Sequence, residues 1–303
     1  MSNLNPNLGS LTGYTNENSD ELLTKSVLGA KSMGLFNIQT GVKGATALQL
    51  MQNTVAFQDG KACGWSQSGS TEFSQRIITP AILKVNMGFC QKNFLSTCFA
   101  YKLKLAAGRE TLPFEEKIIG DIIDRVNEGV EKMLYQGQSG QTDQCEGLIS
   151  ILEGVTAQTK NVSVASGVSA YSFIKAVAAK IPAAVKNAVI LVSTPMFREF
   201  MQDLVSANLY HYDPANGGDE YLLPGTDIKV IAVNGLNDTA TYDYAIAANL
   251  ENIVAGVDME NDQEVFDFWF SRDNDEFRLK ELFSLGVQVA YPSEIVYGKR
   301  AQA

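Results

Sequence analysis

The sequence predicts an α+β chain organised around one long helix. Three observations carry this expectation. Residues 113–136 hold an unbroken helical pattern. Extended, partly alternating runs lie at 46–90 and again at 261–299. Between them, residues 143–260 mix short apolar runs with amphipathic segments in the manner of a compact α/β unit.

The helical pattern is the strongest local signal. Ile118, Ile122, Val126, Val130 and Leu134 recur every four residues, and Ile119, Ile123 and Met133 widen the stripe into a core-facing side. Pro113 suits the first turn and Thr111 can cap it. Glu115 and Glu116 complement the positive end of the dipole, and Gly137 marks the stop. Asp121 with Arg125, and Glu128 with Lys132, have the i,i+4 spacing of wet-face ion pairs. Such a rod would be about 36 Å long, long for a globular domain.

The remaining segments read in order. Residues 1–45 are polar, with Leu22, Leu23, Val27, Leu28 and Phe36 sparsely spaced; they suit an arm that lies on a neighbouring surface. Residues 46–90 read as a long β-hairpin whose tip is the Gly/Ser-rich stretch around Lys61 and Trp65. Pro80 requires an edge or a bend in its returning strand. A short helix is expected at 91–106, and a Gly-rich joint near Asp143 opens the α/β unit. There, VSAYSFIKAVAAKI is a helix capped by Ser169, AVILVS a buried strand, and TPMFREFMQDLVSAN a helix capped by Thr194. YLLPGTDIKVIAV reads as strand, turn and strand, TYDYAIAA as a strand, and NLENIVAGVD as a short helical turn. The closing stretch reads as two antiparallel strands around Arg272-Asp273-Asn274-Asp275, laid under the long helix.

Composition narrows the function classes. A net charge of −10 without a basic cluster argues against a protein whose task is to grip nucleic acid. Cys63, Cys90, Cys98 and Cys145 lack the spacing of a zinc site and read as free thiols of a reducing compartment. No apolar run is long enough to span a membrane, and the polar N-terminus has no secretory signal, so synthesis in a cytoplasm is expected. The single histidine, His211, has no GxSxG or HExxH context, and no phosphate-binding glycine motif is present. The acidic groups at Asp273–Glu276 and at Asp258, Glu260 and Asp262 read as solvated turns. No catalytic, cofactor or metal residues are therefore assigned. The arm, the hairpin and the rod all call for partners, which points to assembly.

STPMFREFMQDLVSANLY, LLPGTDIKVIAVNGL and FRLKELFSLGVQVAYPSEIVYG, together with the order of all the segments, resemble the major capsid proteins of tailed bacteriophages with the Hong Kong 97 fold. The resemblance implies an N-terminal arm at 1–45 and an E-loop hairpin at 46–90. It implies a P domain at 91–142 and 261–303 with spine helix 113–136, and an A domain at 143–260. It further implies a structural, non-enzymatic protein that self-assembles through hexamers and pentamers into an icosahedral shell around double-stranded DNA. That shell would be part of a virion built in a host bacterial cytoplasm. The chain leaves no room for a fused scaffolding domain, so scaffolding would be a separate protein or the sequence is a mature form; portal and decoration proteins would be further partners. Lys61, Trp65, Leu22, Leu23, Val27, Leu28 and Phe36 are the expected assembly contacts. Some relatives crosslink neighbours through a Lys–Asn bond; no Asn or Glu partner for Lys61 can be matched, and none is assigned. The same fold serves encapsulin-like bacterial nanocompartments, the first alternative. A cytoplasmic α/β enzyme with a site near His211 is the alternative of another class.

Overall fold

The computed structural model describes residues 19–59, 64–65, 67–89, 114–209, 218–258, 265–274 and 276–302. The helix expected at 91–106, the capping residues Thr111 and Pro113, and His211 lie outside the described residues.

The long helix, α2 (Phe114–Gln136), follows α1 (Ser19–Leu28), β1 (Asn37–Gln39), β2 (Thr46–Thr54), β3 (Ser70–Ile78) and β4 (Ala81–Phe89). Its four-residue stripe is the buried face: Ile122, Val126, Val130 and Leu134 are all inside, with Ile119 and Ile123 beside them. Tyr135 and Glu131 are buried as well, which the apolar stripe alone does not predict. On the wet face Arg125 pairs with Glu128, 3.0 Å apart. At the end of the rod Gly137 donates to the Met133 carbonyl, and its φ is not positive. It ends the helix through close packing against the Cys145 backbone, not through a left-handed turn.

Next come α3 (Leu148–Gly154), β5 (Lys160–Val164), α4 (Ala170–Ala178), β6 (Val189–Ser193), α5 (Thr194–Ser206), β7 (Glu220–Leu222) and β8 (Lys229–Val233). The Ser169 hydroxyl caps α4 by accepting from Ser172 N. The cap of α5 is Ser193, whose hydroxyl accepts from Met196 N; Thr194, the expected cap, instead bonds to Asn234 at 2.8 Å. Phe173, Ile174 and Val177 of α4 meet Phe197, Phe200 and Leu204 of α5 in one apolar cluster. Gly225, with φ of 78°, makes the turn after Pro224.

The chain closes with β9 (Tyr242–Ala248), β10 (Ile253–Val257), β11 (Val265–Ser271), β12 (Glu276–Val289) and β13 (Val296–Ala301). The run IVAGV, expected as part of a helical turn, is the fully buried strand β10. Only a 3₁₀ turn at Leu250–Asn252 remains of the helical expectation. A run of apolar residues rich in β-branched side chains, buried on both faces, is better satisfied by a sheet than by one turn of helix.

Two sheets and a ribbon result. In the first, β12 is central: β4 lies along one side, β10 and then β11 along the other, and β1 adds in parallel to β10. The second runs β5-β13-β9-β6-β8-β7. The sequence division at 260 does not follow this pairing. β10, before it, belongs to the first sheet, and β13, after it, is inserted into the second between β5 and β9. The ribbon is β2 and β3, paired antiparallel from Thr46–Ile78 to Thr54–Ser70. Thr79 and Pro80 end it, so the returning strand leaves the ribbon and enters the first sheet as β4. Stripe residues of α2 share one core with Leu83, Phe283 and Leu285 of the first sheet, as the sequence expects.

Two contacts fix the sheets to each other. Gln136 at the end of α2 donates to the Gly235 and Asn237 carbonyls at 2.8 and 2.6 Å. Asn252, between β9 and β10, is buried; it donates to the Tyr291 carbonyl at 2.9 Å and accepts from the Tyr291 N–H at 2.6 Å. Tyr291 lies between β12 and β13, so one amide clips together two of the chain's passages from sheet to sheet. Replacing Asn252 by Ala strips both groups of Tyr291 and is expected to lower stability by about 2–3 kcal/mol, read from the urea midpoint of the isolated subunit. Gly235→Ala would drive a methyl into the Tyr135 ring and the Glu131 carbonyl. A loss of about 2 kcal/mol or more is expected on the same measurement.

Candidate assembly surface

The ribbon has two unlike faces. Because side chains alternate, Leu48, Leu50 and Ile78 point one way and Ala47, Met51, Phe73 and Ile77 the other. Ile78 is buried with Val42 and Val254, with Leu48 packed against them. That face is seated on the subunit's own body. The opposite face is not: Met51 stands directly across from Phe73, and Ala47 across from Ile77, with Met51, Phe73 and Ile77 all exposed. Beyond the paired strands, Phe57 is 99% exposed and Trp65 88% exposed. Nine-residue strands give a ribbon of about 30 Å. Two-stranded ribbons are marginal alone in water, and this one carries Met51, Phe73 and Ile77 outward.

Its base is held firmly. Arg76 donates to Gln288 Oε1 at 2.9 Å, and Gln288 Nε2 donates to the Ile77 carbonyl at 2.8 Å. The Tyr291 hydroxyl reaches the Met51 carbonyl at 3.3 Å. The ribbon's direction is thereby set from the first sheet.

A groove of about 410 Å³ lies between β4 and α2, lined by Ile82, Val85 and Met87 on one wall and Ile122, Val126 and Met133 on the other. Ile82 and Met87 are exposed, and β4 is an outer strand of its sheet.

The expected contact residues separate into three groups. Trp65 is at the exposed end of the ribbon. Lys61 lies outside the described residues. Leu22, Leu23, Val27 and Phe36 are buried in the subunit's own core, and Leu28 packs against it. Their spacing gives α1 an apolar side that lands on α2, so in this conformation they are not offered to a neighbour. Met51, Phe73 and Ile77 escaped the sequence reading. Their outward position follows only from the register and from which face the body covers. Cys145 is buried, and burial pushes its thiol up to about 12, so it stays protonated and unreactive. Among the described residues no cluster of His, Cys, Asp or Glu could hold a metal ion, and no helix is long and apolar enough to cross a membrane.

No protein-family model matches the sequence, and no curated protein does. Solved structures do. A chain of the satellite phage P4 procapsid, solved with its size-determination protein, is 9% identical with a TM-score of 0.61; the match covers 93% of this chain and 90% of that one. The Gordonia phage Cozz chain is 12% identical with a TM-score of 0.61, covering 90% and 86%. A holo-SrpI encapsulin of Synechococcus elongatus is 8% identical with a TM-score of 0.57, covering 88% and 85%. The chain has the Hong Kong 97 fold.

The exposed ribbon face contributes little to the lone subunit. Phe73→Ser is expected to move the unfolding free energy by no more than about 0.5 kcal/mol, measured by chemical denaturation of subunits kept dissociated.

Proposed function

We propose that this chain is the major capsid protein of a tailed bacteriophage. It assembles through hexamers and pentamers into an icosahedral shell that encloses double-stranded DNA. The observation that carries this reading is the ribbon: a rigidly based two-stranded arm whose outward face bears Met51, Phe73 and Ile77 and whose far end bears Phe57 and Trp65, on a chain whose fold matches phage capsid chains over nine-tenths of its length. Aromatic side chains on a protruding element are what interface hot spots are made of. A contact between unlike surfaces, repeated around an axis, closes into a ring.

The protein is structural and not an enzyme. Trp65, at the far end of the ribbon, meets a neighbouring subunit, and so does Lys61, four residues before it in sequence. Scaffolding, portal and decoration proteins are separate partners, and the particle is built in the bacterial cytoplasm before it becomes the virion. The net charge of −10 keeps the shell from gripping the DNA it encloses, which it holds without reading sequence.

The match to an encapsulin of comparable TM-score favours one second reading, a bacterial nanocompartment shell with protein cargo. Electron microscopy of particles purified from expressing cells separates the two. Shells that package DNA in the presence of a phage's packaging proteins support the capsid; small shells that hold only protein support the nanocompartment. A chain that stays monomeric at high concentration contradicts both. Phe73→Asp and Trp65→Ala are each expected to cut particle yield by about tenfold or more, while dissociated subunits keep the parent's circular dichroism spectrum. Unchanged yield in both variants would remove the ribbon from the assembly contact.

A further inference from the structure

Glu281 occupies a place where a carboxylate does not belong. Along β12 the inward row runs Phe277, Leu279, Glu281, Phe283 and Leu285, and Glu281 is fully buried within it. Its Oε1 meets the Ser26 hydroxyl of α1 in a short hydrogen bond. Its Oε2, also buried, has no hydrogen-bond partner among the described residues. Ser26 lies on the same oxygen 2.9 Å from the Leu23 carbonyl. One hydroxyl hydrogen cannot serve both acceptors. Both contacts are satisfied when Glu281 itself carries a proton: its O–H donates to Ser26 Oγ, and Ser26 donates to Leu23.

Among the described residues, no charged group compensates Glu281 from any packed element. Across the sheet its register partners are Val85 on β4 and Phe266 on β11, so Lys84 and Asp267 fall on the opposite face. On α1, Glu21 and Lys25 pair with each other at 2.7 Å in solvent. On α2, Asp121, Asp124, Arg125, Glu128 and Lys132 are exposed, and the buried Glu131 is occupied by Ser32 through both its N–H at 2.9 Å and its hydroxyl at 2.7 Å. On α3, Glu153 is taken by Lys299.

We infer that α1 is a proton-dependent clasp, closed on the core when Glu281 is protonated and released when Glu281 ionises, while the Ser32–Glu131 anchor holds in both states. Burial raises the Glu281 carboxyl to about 7, against a smaller opposite pull from Ser26. The sign follows: a folded-state pKa above the open-state value means closure is strongest in acid. It weakens as pH rises from the ordinary carboxylate range through about 7, where the buried group gives up its proton. The clasp therefore governs whether Leu22, Leu23 and Val27 are buried in their own subunit or exposed for another surface.

Hydrogen exchange on the full chain tests this, with protection factors corrected for the intrinsic effect of pH. Amides of residues 22–28 are expected to be about tenfold or more better protected at about pH 5.5 than at about pH 8, with residues 33–36 unchanged. Glu281→Gln keeps the shape and removes the titration, so its protection should be flat across that range. Should that variant not fold, Ser26→Ala serves: removing the hydroxyl that Glu281 bonds should displace the transition along the pH axis. A flat profile in the parent chain, an equal pH response in Glu281→Gln, or a transition unmoved by Ser26→Ala would each overturn the clasp.

Discussion

The end of α2, at Tyr135, is the point at which three stretches of backbone converge. The end of α2, the 3₁₀ turn Asn234–Leu236 and the loop from Gly137 to Gly147 approach one another more closely than side chains allow. A Cβ on Gly235 would fall on the Tyr135 ring and the Glu131 carbonyl, and one on Gly147 would lie 2.5 Å from Gly137 N. Tyr135 is completely buried there, and burial raises its hydroxyl well above the usual tyrosine range, so it stays neutral. It shares the Ser32 hydroxyl, which also bonds Glu131. This polar knot ties α2 to the segment that follows α1. Gln136, one residue on, ties α2 to the second sheet. The apolar stripe gives α2 its affinity for the core, but the glycine contact sets its axial position. Everything that α2 aligns inherits that position.

The two sheets are not separable modules strung in sequence. The chain passes between them after β4, after β9 and after β12, and the last two passages are clipped together by Asn252. At the far side, the buried Arg300 on β13 gathers Glu199 from α5 and Asp243 from β9 within 2.6–2.7 Å. Its fork geometry suits two carboxylates at once. The terminal strand is thus locked laterally by charge as well as by its ladder. A long-range topology of this kind resists relative movement of the sheets, because any shear must break pairs in both.

What the sequence revealed and hid follows the same physics. A 3.6-residue stripe over 23 residues is legible because each residue repeats the signal of the one four before it. The terminal hairpin was equally plain from Phe266, Phe268, Phe277 and Leu279 around a polar turn. β10 was not, because five apolar residues without alternation fit a helix or a strand, and only the partners β1 and β12 decide between them. α1 reads as an arm because its apolar residues are few; Ser26 on it and Ser32 just after it find partners 255 and 99 residues away, which no local pattern shows. Of the assembly surface, the Gly-rich end with Trp65 was legible from composition. Met51 and Phe73 were not, because a strand shows which residues share a face and never which face the body will cover. Glu281 breaks the alternation of β12 in plain view. Its significance depends on a burial that the strand pattern cannot measure.

The ribbon and the clip between the sheets meet in one residue. The backbone of Tyr291 is held at both its N–H and its carbonyl by Asn252, and its hydroxyl reaches the Met51 carbonyl on the ribbon. Three residues earlier, Gln288 holds Arg76 and Ile77. A force on the ribbon's exposed end is therefore delivered to the place where the chain crosses from one sheet to the other, not to a free loop. A hairpin on a flexible base would sample many directions and lose that freedom on contact with a neighbour, at a cost of order 1 kcal/mol or more for each residue ordered. Fastening the base removes much of that cost before contact. An exposed apolar face is tolerable on a lone subunit only if assembly covers it, and useful in a shell only if its direction is already fixed. The Gln288 and Tyr291 contacts supply the second condition, and the outward register of Met51 and Phe73 creates the need for the first.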